Sequence, residues 1–134
     1  MSVPVCVVDA SVGVKWFRNE PGSAEARELV SRHILGEIVI AVDALFACEV
    51  LRVASRNANA GDVPRVWKDL EALELVTVPL GGELVEAAAD VREKFGCTLY
   101  DGFSAGLADL LDAPLYSADA RVHGRYPRVR MVGA

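Results

Sequence analysis

The chain opens on a nearly unbroken apolar run, Val3-Pro4-Val5-Cys6-Val7-Val8, that stops abruptly at Asp9. A short Val-rich run without polar alternation predicts a strand buried on both faces, as at the centre of a parallel sheet. The period then turns helical. Val12 to Arg18 reads as a short helix carrying Trp16 and Phe17, and Pro21-Gly22-Ser23 as a turn whose Ser23 caps the next helix. That helix runs to about Leu35, with Ala26, Leu29, Val30 and His33 at helical spacing, and Gly36 ends it. Glu37 to Val42 reads as a second buried strand. Asp43 is expected to cap a helix reaching about Asn57, with Ala44, Ala47, Cys48, Leu51 and Ala54 as its core stripe. Asn57-Ala58-Asn59-Ala60-Gly61 breaks that helix. Asp62 caps another, in which Val63, Val66, Trp67, Leu70 and Leu73 share one face. Leu75 to Pro79 is a third strand. Gly81-Gly82 opens a helix from Glu83 to Phe95, and Gly96 stops it. Thr98 starts a helix to about Leu111. Pro114 to Ser117 is a fourth strand, Asp119 to about Tyr126 a short helix, and Val129 to Val132 a final strand.

Strands alternating with helices predict a parallel sheet with helices on both faces. Right-handed crossovers limit the topology to a few doubly wound orders. In such sheets ligands bind beyond the carboxyl ends of the strands, which is where Asp9 falls. No repeat, linker or low-complexity stretch divides the 134 residues, so residues 1–134 are expected to form one domain.

Composition narrows the function. Apolar residues make up 52% of the chain, which argues for a packed core and against disorder. No apolar run approaches the ~20 residues of a membrane span. No basic region at the N-terminus suggests a secretory signal. Cys6, Cys48 and Cys97 form no C-x-x-C pair and sit among apolar neighbours. They read as reduced core cysteines of a cytoplasmic protein rather than as disulfides or zinc ligands. The net charge of −5 argues against non-specific duplex binding through a basic surface. It is compatible with a nucleic-acid substrate if an acidic metal site supplies much of the charge.

Four acids stand out by position: Asp9 and Asp119 each follow an apolar strand, Glu49 lies inside a largely apolar helix, and Asp101 occupies a first helical turn. Each alone has a plain structural account. Asp9 and Asp119 could cap helices, Thr98 and Asp101 form a capping box, and Glu49 could pair with Arg52 or Arg56 along its helix. Together they suggest more. If the first and fourth strands are neighbours at the switch point, Asp9 and Asp119 converge on one crevice, and the helices bring Glu49 and Asp101 to its rim. Clustered carboxylates resist joint ionisation, and a hard divalent cation relieves that repulsion. An all-oxygen donor set favours Mg²⁺ or Mn²⁺. Such ions activate water and stabilise the attacking and leaving oxygens of a phosphodiester. Ser11 and Ser117 are candidates to hydrogen-bond a water on the metal or a carboxylate. Arg52, Arg56, Arg121 and Arg125 are candidate phosphate contacts for a nucleic-acid substrate, as are Lys15 and Arg18 in the cleft and Arg128 and Arg130 near the C-terminus. The alternative for the C-terminal group is a solvated face. Trp16, Phe46 and Trp67 read as core, with a lesser reading of Phe46 or Trp67 in an apolar groove that takes a partner helix or strand.

Val7-Val8-Asp9-Ala10-Ser11, Cys48-Glu49-Val50, Tyr100-Asp101-Gly102 and Ser117-Ala118-Asp119 resemble, in order and approximate spacing, the motifs of PIN-domain ribonucleases. The resemblance spans essentially the whole chain and is strongest to the small VapC-type toxins of toxin–antitoxin pairs. It implies a three-layer α/β/α sandwich around a five-stranded parallel sheet. It implies a Mg²⁺-dependent endoribonuclease, with Mn²⁺ as a substitute, that inhibits translation or growth. By carry-over, Asp9, Glu49, Asp101 and Asp119 form the catalytic, metal-holding site. A VapB-like antitoxin and a homodimer are the implied partners. The chain departs from the family pattern at Gly102 and Gly106, each costing up to ~1 kcal/mol in helix propensity, which predicts a less rigid helix. It also lacks the Asn common in relatives after Glu49, where Val50-Leu51-Arg52 stands instead.

Three other readings compete. His33 and His123 could act as acid and base in metal-free RNA cleavage, although His33 reads as a half-buried packing residue and His123 as the surface partner of Asp119. A phosphoacceptor receiver is disfavoured, because no acidic pair ends the first strand and no Lys follows Lys94. A catalytically inactive PIN-like module that only binds partners is the remaining alternative.

Overall fold

The computed structural model of the chain describes residues 2–56 and 62–133. Strands β1 (Val5–Val8), β2 (Val39–Asp43), β3 (Val76–Val78), β4 (Leu115–Ser117) and β5 (Val129–Met131) form one all-parallel sheet in the order β3-β2-β1-β4-β5. The helices are α1 (Ala10–Gly13), followed by a 3₁₀ turn at Val14–Trp16, then α2 (Ser23–Ile34), α3 (Phe46–Ala54), α4 (Asp62–Ala72), α5 (Gly82–Phe95), α6 (Leu99–Leu111) and α7 (Ala120–His123).

The pleat of the central strands creates the layers. Cys6 and Val8 on β1, with Ile40 and Val42 on β2, pack against residues of α2, α3 and α4. Val7, Ala41 and Leu115 point the other way, onto α5 and α6. Successive strand residues face opposite sides, so an unbroken apolar run serves both cores at once. The sheet order places the first and fourth strands side by side, with Val7 opposite Leu115 and Val8 opposite Tyr116. The chain builds outward from β1 to β2 and β3, then crosses to β4 on the other side. The switch point therefore lies between β1 and β4.

Several local expectations are corrected. The first helix starts at Ala10, because Asp9 caps it directly by accepting the Ser11 N–H at 3.0 Å. Asp43 is the last residue of β2 and does not cap α3, which begins at Phe46. The buried stripe of α3 is Phe46 and Val50, while Ala44 and Cys48 are exposed. The helix begins two residues later than the Asp43 cap predicts, with Leu45 at the cap position. Its predicted end and the 57–61 break fall outside the described residues. On α4 only Val66 and Leu70 of the predicted face are buried, and Trp67 is 46% exposed. The cysteines also divide: Cys6 is buried, Cys97 half-buried and Cys48 exposed. Burial pushes the Cys6 thiol up to about 11. His33 is a packing residue, accepting the Ile40 N–H at 3.1 Å and donating from Nε2 to the Leu73 carbonyl at 2.9 Å.

Gly102 and Gly106 lie where α6 meets α5. A Cβ on Gly102 would stand 2.7 Å from the Ala88 carbonyl oxygen, and one on Gly106 2.7 Å from Ala88 N. The two glycines let α6 lie directly on the α5 backbone. Their propensity cost is offset by contact that a methyl group would prevent. Among the described residues no helix is long and apolar enough to cross a membrane.

Candidate active site

Beyond the carboxyl ends of β1 and β4 lies a cavity of about 400 Å³. Asp9, Asp43, Glu49, Asp101 and Asp119 all line it. Each arrives from a different element. Asp9 follows β1, Asp43 ends β2, Glu49 projects from α3, Asp101 from the first turn of α6, and Asp119 follows β4. Parallel strands bring all their carboxyl ends to one side of the sheet, so acids distant in sequence meet there.

The Asp9 carboxylate is held at both oxygens. Oδ2 accepts the Ser11 N–H at 3.0 Å, and Oδ1 accepts the Ser104 hydroxyl at 2.7 Å. Asp119 accepts the Val122 N–H at 3.2 Å and so caps α7 while facing the cavity. Asp101 likewise accepts the Thr98 hydroxyl at 3.0 Å, and its own N–H donates back to Thr98 Oγ1 at 3.1 Å. Capping and cavity lining thus coexist on the same side chains. Gly13 allows this closeness on the α3 side: a Cβ there would lie 2.6 Å from Phe46 Cζ and 2.9 Å from Val50 Cγ2. The residue lets α1 seat against the helix that carries Glu49.

Burial and like charge raise the proton affinity of two of these acids, Glu49 and Asp43. Burial pushes the Glu49 carboxyl up to about 7, the charges of Asp9, Asp43 and Asp101 add to the rise, and a Tyr100 hydrogen bond opposes it. Burial also raises Asp43, with Asp9 contributing, against the pull of its hydrogen bond from the Leu45 N–H at 2.8 Å. Burial raises the Tyr100 hydroxyl in turn, and the charge of Glu49 adds to the rise.

The basic residues separate by position. Arg18 and Arg52 line the cavity. Lys15 is buried and engaged with Glu20 at 3.1 Å and the Pro21 carbonyl at 2.7 Å. Arg56 is exposed, and its carbonyl accepts the Arg18 guanidinium at 3.3 Å. Arg121 lines a neighbouring cavity of about 360 Å³ that shares Asp101 and Asp119 with the first. Arg125 donates to the Phe95 carbonyl at 3.2 Å. Arg128 pairs with Asp109 at 3.2 Å and Asp112 at 2.7 Å, just before β5 begins and so at the opposite end of the sheet. Arg130 lies on β5 itself, between Arg128 and the site end.

Two serine expectations come out differently. Ser11 lines the cavity, and its Oγ accepts the Ala118 N–H at 3.0 Å. Ser117 is fully buried and is occupied by His123 and the Asp119 N–H, at 2.7 and 3.1 Å. His123 is no surface partner of Asp119, since it is 3% exposed. Asp43 and Ser104 were missed. Asp43 has the same signature as Asp9, an acid ending an apolar strand, but it was read only as a cap. Ser104 stands one helical turn after Asp101, and that spacing was the signal for it.

The donor chemistry fits a hard divalent cation, with carboxylate oxygens and no Cys among the cavity-lining residues. Among the described residues, no three acidic, His or Cys side chains already stand as a closed metal cage. Mg²⁺ does not require one, because it usually takes one or two carboxylates and keeps several waters.

Fold and cleft together define an α/β/α protein whose acids collect at the switch point of a parallel sheet. A family model of the PIN domain matches residues 6–128, and the chain belongs to that family. No curated protein sequence matches it significantly. Its fold is similar to a chain of a toxin–antitoxin complex from Klebsiella pneumoniae, at 15% identity and a TM-score of 0.72, covering 94% of this chain and 96% of that one. It is similar to a chain of DNA-bound VapBC from Salmonella typhimurium, at 13% identity and a TM-score of 0.71, covering 97% of both chains. A chain of VapBC-5 from Mycobacterium tuberculosis is also similar, at 18% identity and a TM-score of 0.59, covering 97% of this chain and 98% of that one.

Proposed function

We propose that the chain is a metal-dependent endoribonuclease of the VapC type, the toxin of a toxin–antitoxin pair. The observation that carries this is the convergence of Asp9, Glu49, Asp101 and Asp119, joined by Asp43, on one cavity at the switch point. A Mg²⁺ or Mn²⁺ ion would be held from among Asp9, Glu49, Asp101 and Asp119. When bound, such an ion activates water and stabilises charge on phosphodiester oxygens. The protein's own groups prepare the site. Ser104 and the Ser11 N–H fix the orientation of Asp9. Arg18 and Arg52 offer positive charge to an RNA phosphate at the mouth of an otherwise acidic cleft. Glu49, its carboxyl raised to about 7, holds a proton below that pH and releases it above.

The metal-free histidine alternative gains no support, because both ring nitrogens of His33 and of His123 are engaged in hydrogen bonds. An antitoxin-like partner has a suitable surface in a groove of about 460 Å³ between α3 and α4. Phe46, Trp67, Leu70 and Leu75 make its apolar lining, and Glu71 and Glu74 contribute negative charge. A basic amphipathic helix would fit it. A homodimer of the toxin belongs to the same reading. Calorimetric titration with Mn²⁺ and cleavage of single-stranded RNA with and without EDTA test the proposal. Binding, EDTA-sensitive cleavage and recovery with Mn²⁺ are expected. A chain that binds no Mn²⁺ is instead the inactive scaffold.

A further inference from the structure

The buried imidazole of His123 plays no part in the reaction as proposed, yet both its nitrogens are engaged. Nε2 stands 3.1 Å from the Asp101 carbonyl oxygen, and Nδ1 2.7 Å from Ser117 Oγ. A carbonyl oxygen only accepts, so Nε2 carries a proton. In the neutral ring, Nδ1 then accepts the Ser117 hydroxyl. With its proton directed to His123, Ser117 Oγ accepts the Asp119 N–H at 3.1 Å and faces the Ser11 hydroxyl at 3.5 Å. Ser11 Oγ in turn accepts the Ala118 N–H. The donors run one way, from Ser11 to Ser117 to His123 to the Asp101 backbone.

That chain crosses the elements that carry three of the site's acids. Ser11 lies two residues after Asp9 on α1, Ser117 two before Asp119 at the end of β4, and Asp101 lies in the first turn of α6. Tyr126 anchors α6 farther along, its hydroxyl lying 2.9 Å from the Ala105 carbonyl oxygen and 2.6 Å from Asp109 Oδ1, between which its single proton is shared. His123 holds the end that bears Asp101. Among the described residues no buried side-chain polar atom in this region lacks a hydrogen-bond partner. We propose that His123 is a positioning residue, fixing Asp101 relative to Asp9 and Asp119 through the Asp101 carbonyl and Ser117. Its consequence for activity rests on the nuclease reading above.

The test compares wild type, His123→Leu and His123→Gln by Mn²⁺ calorimetry, single-stranded RNA cleavage and thermal melting. His123→Leu keeps much of the volume and removes both hydrogen bonds. Its Mn²⁺ affinity and kcat should fall ~10- to 100-fold, the usual effect of removing a group that orients metal ligands, with KM little changed. His123→Gln retains an amide N–H for the Asp101 carbonyl and should recover most of both. A folded His123→Leu with wild-type Mn²⁺ affinity and kcat overturns the positioning role. So does a His123→Gln variant no better than His123→Leu at equal stability. If His123→Leu does not fold, Ser117→Ala carries the test: reduced Mn²⁺ affinity supports the role, and wild-type affinity overturns it. A wild-type chain that neither binds Mn²⁺ nor cuts RNA overturns the nuclease reading and the positioning role together. An active wild type with an equally active His123→Leu removes the positioning role alone.

Discussion

Glu49 carries the sharpest residue-scale prediction. Its carboxyl is raised from an ordinary 4.5 to about 7, first by burial and then by Asp9 and Asp43. The folded chain therefore binds more protons than the unfolded chain across that interval. The sign follows: metal-free stability from this group is present at low pH and is lost as pH rises through about 7. Glu49→Gln should melt at the same temperature as wild type near pH 4 and at a higher one at pH 8. A gap that does not change with pH would contradict it. On the proposed metal site, an ion held by Glu49 would displace the same proton. Mn²⁺ titrations at pH 6.5 in buffers of different ionisation enthalpy should show proton release, and Glu49→Gln should reduce it. Asp9, by contrast, was legible from its position, because an apolar strand that stops at an acid points to the carboxyl edge of a sheet. Asp43 carries the same mark, but the helical pattern after it invited a capping role. The difference between cap and wall depends on where the next helix begins, and Phe46 rather than Ala44 starts it.

Elements with strong punctuation were read closely. Gly96, with φ of 72°, stops α5 where the sequence places its end, and Thr98 caps α6 by accepting the Asp101 N–H. Helix α3 is centred on Phe46 and Val50, which are fully buried; Ala47, Leu51 and Ala54 of the expected stripe pack against the same core from its edge, and only Ala44 and Cys48 are exposed. The hydrophobic period leaves the two overlapping faces nearly equal, and contact with the sheet decides between them. For Gly102 and Gly106 the sequence shows only the local propensity cost, whereas their contact with α5 is visible only in the structure. Gly106→Ala should therefore lose ~1–3 kcal/mol in urea denaturation despite better helix propensity, because its methyl meets the α5 backbone. Gly82→Ala, with open space around its Cβ, should stay within ~0.5 kcal/mol of wild type. Equal effects at the two positions would remove the close-packing account of α5 and α6.

At the scale of the whole molecule, alternation of strand and helix was enough to imply the three layers, and five strand signals matched the five strands observed. Convergence of the acids depended on β1 and β4 being neighbours, which no local pattern states and the sheet order supplies. The buried network around His123 lay beyond the sequence, because a histidine four residues after an acid on a helix looks like a surface pair. Partner binding also belongs to this scale. Trp67 is half-exposed in the α3–α4 groove, whose lining shares only Asp43 with that of the acidic cavity. Trp67→Ser should weaken capture of an antitoxin-type protein encoded beside this gene by ~2 kcal/mol, the scale of an aromatic anchor. RNA cleavage by the free chain should be unaffected. Loss of cleavage together with binding would place Trp67 in the catalytic structure instead.

The central claim is that the acids at the switch point cut RNA with a divalent cation. Mapping the ends of a single-stranded RNA treated with wild type and with Asp9→Asn, in Mn²⁺ and in EDTA, tests it most directly. Wild type with Mn²⁺ should leave 5′-phosphate and 3′-hydroxyl ends. EDTA should abolish the cuts, and folded Asp9→Asn should cut at least ~10²-fold more slowly. Full activity of Asp9→Asn, or cyclic phosphate ends that persist in EDTA, would contradict the account.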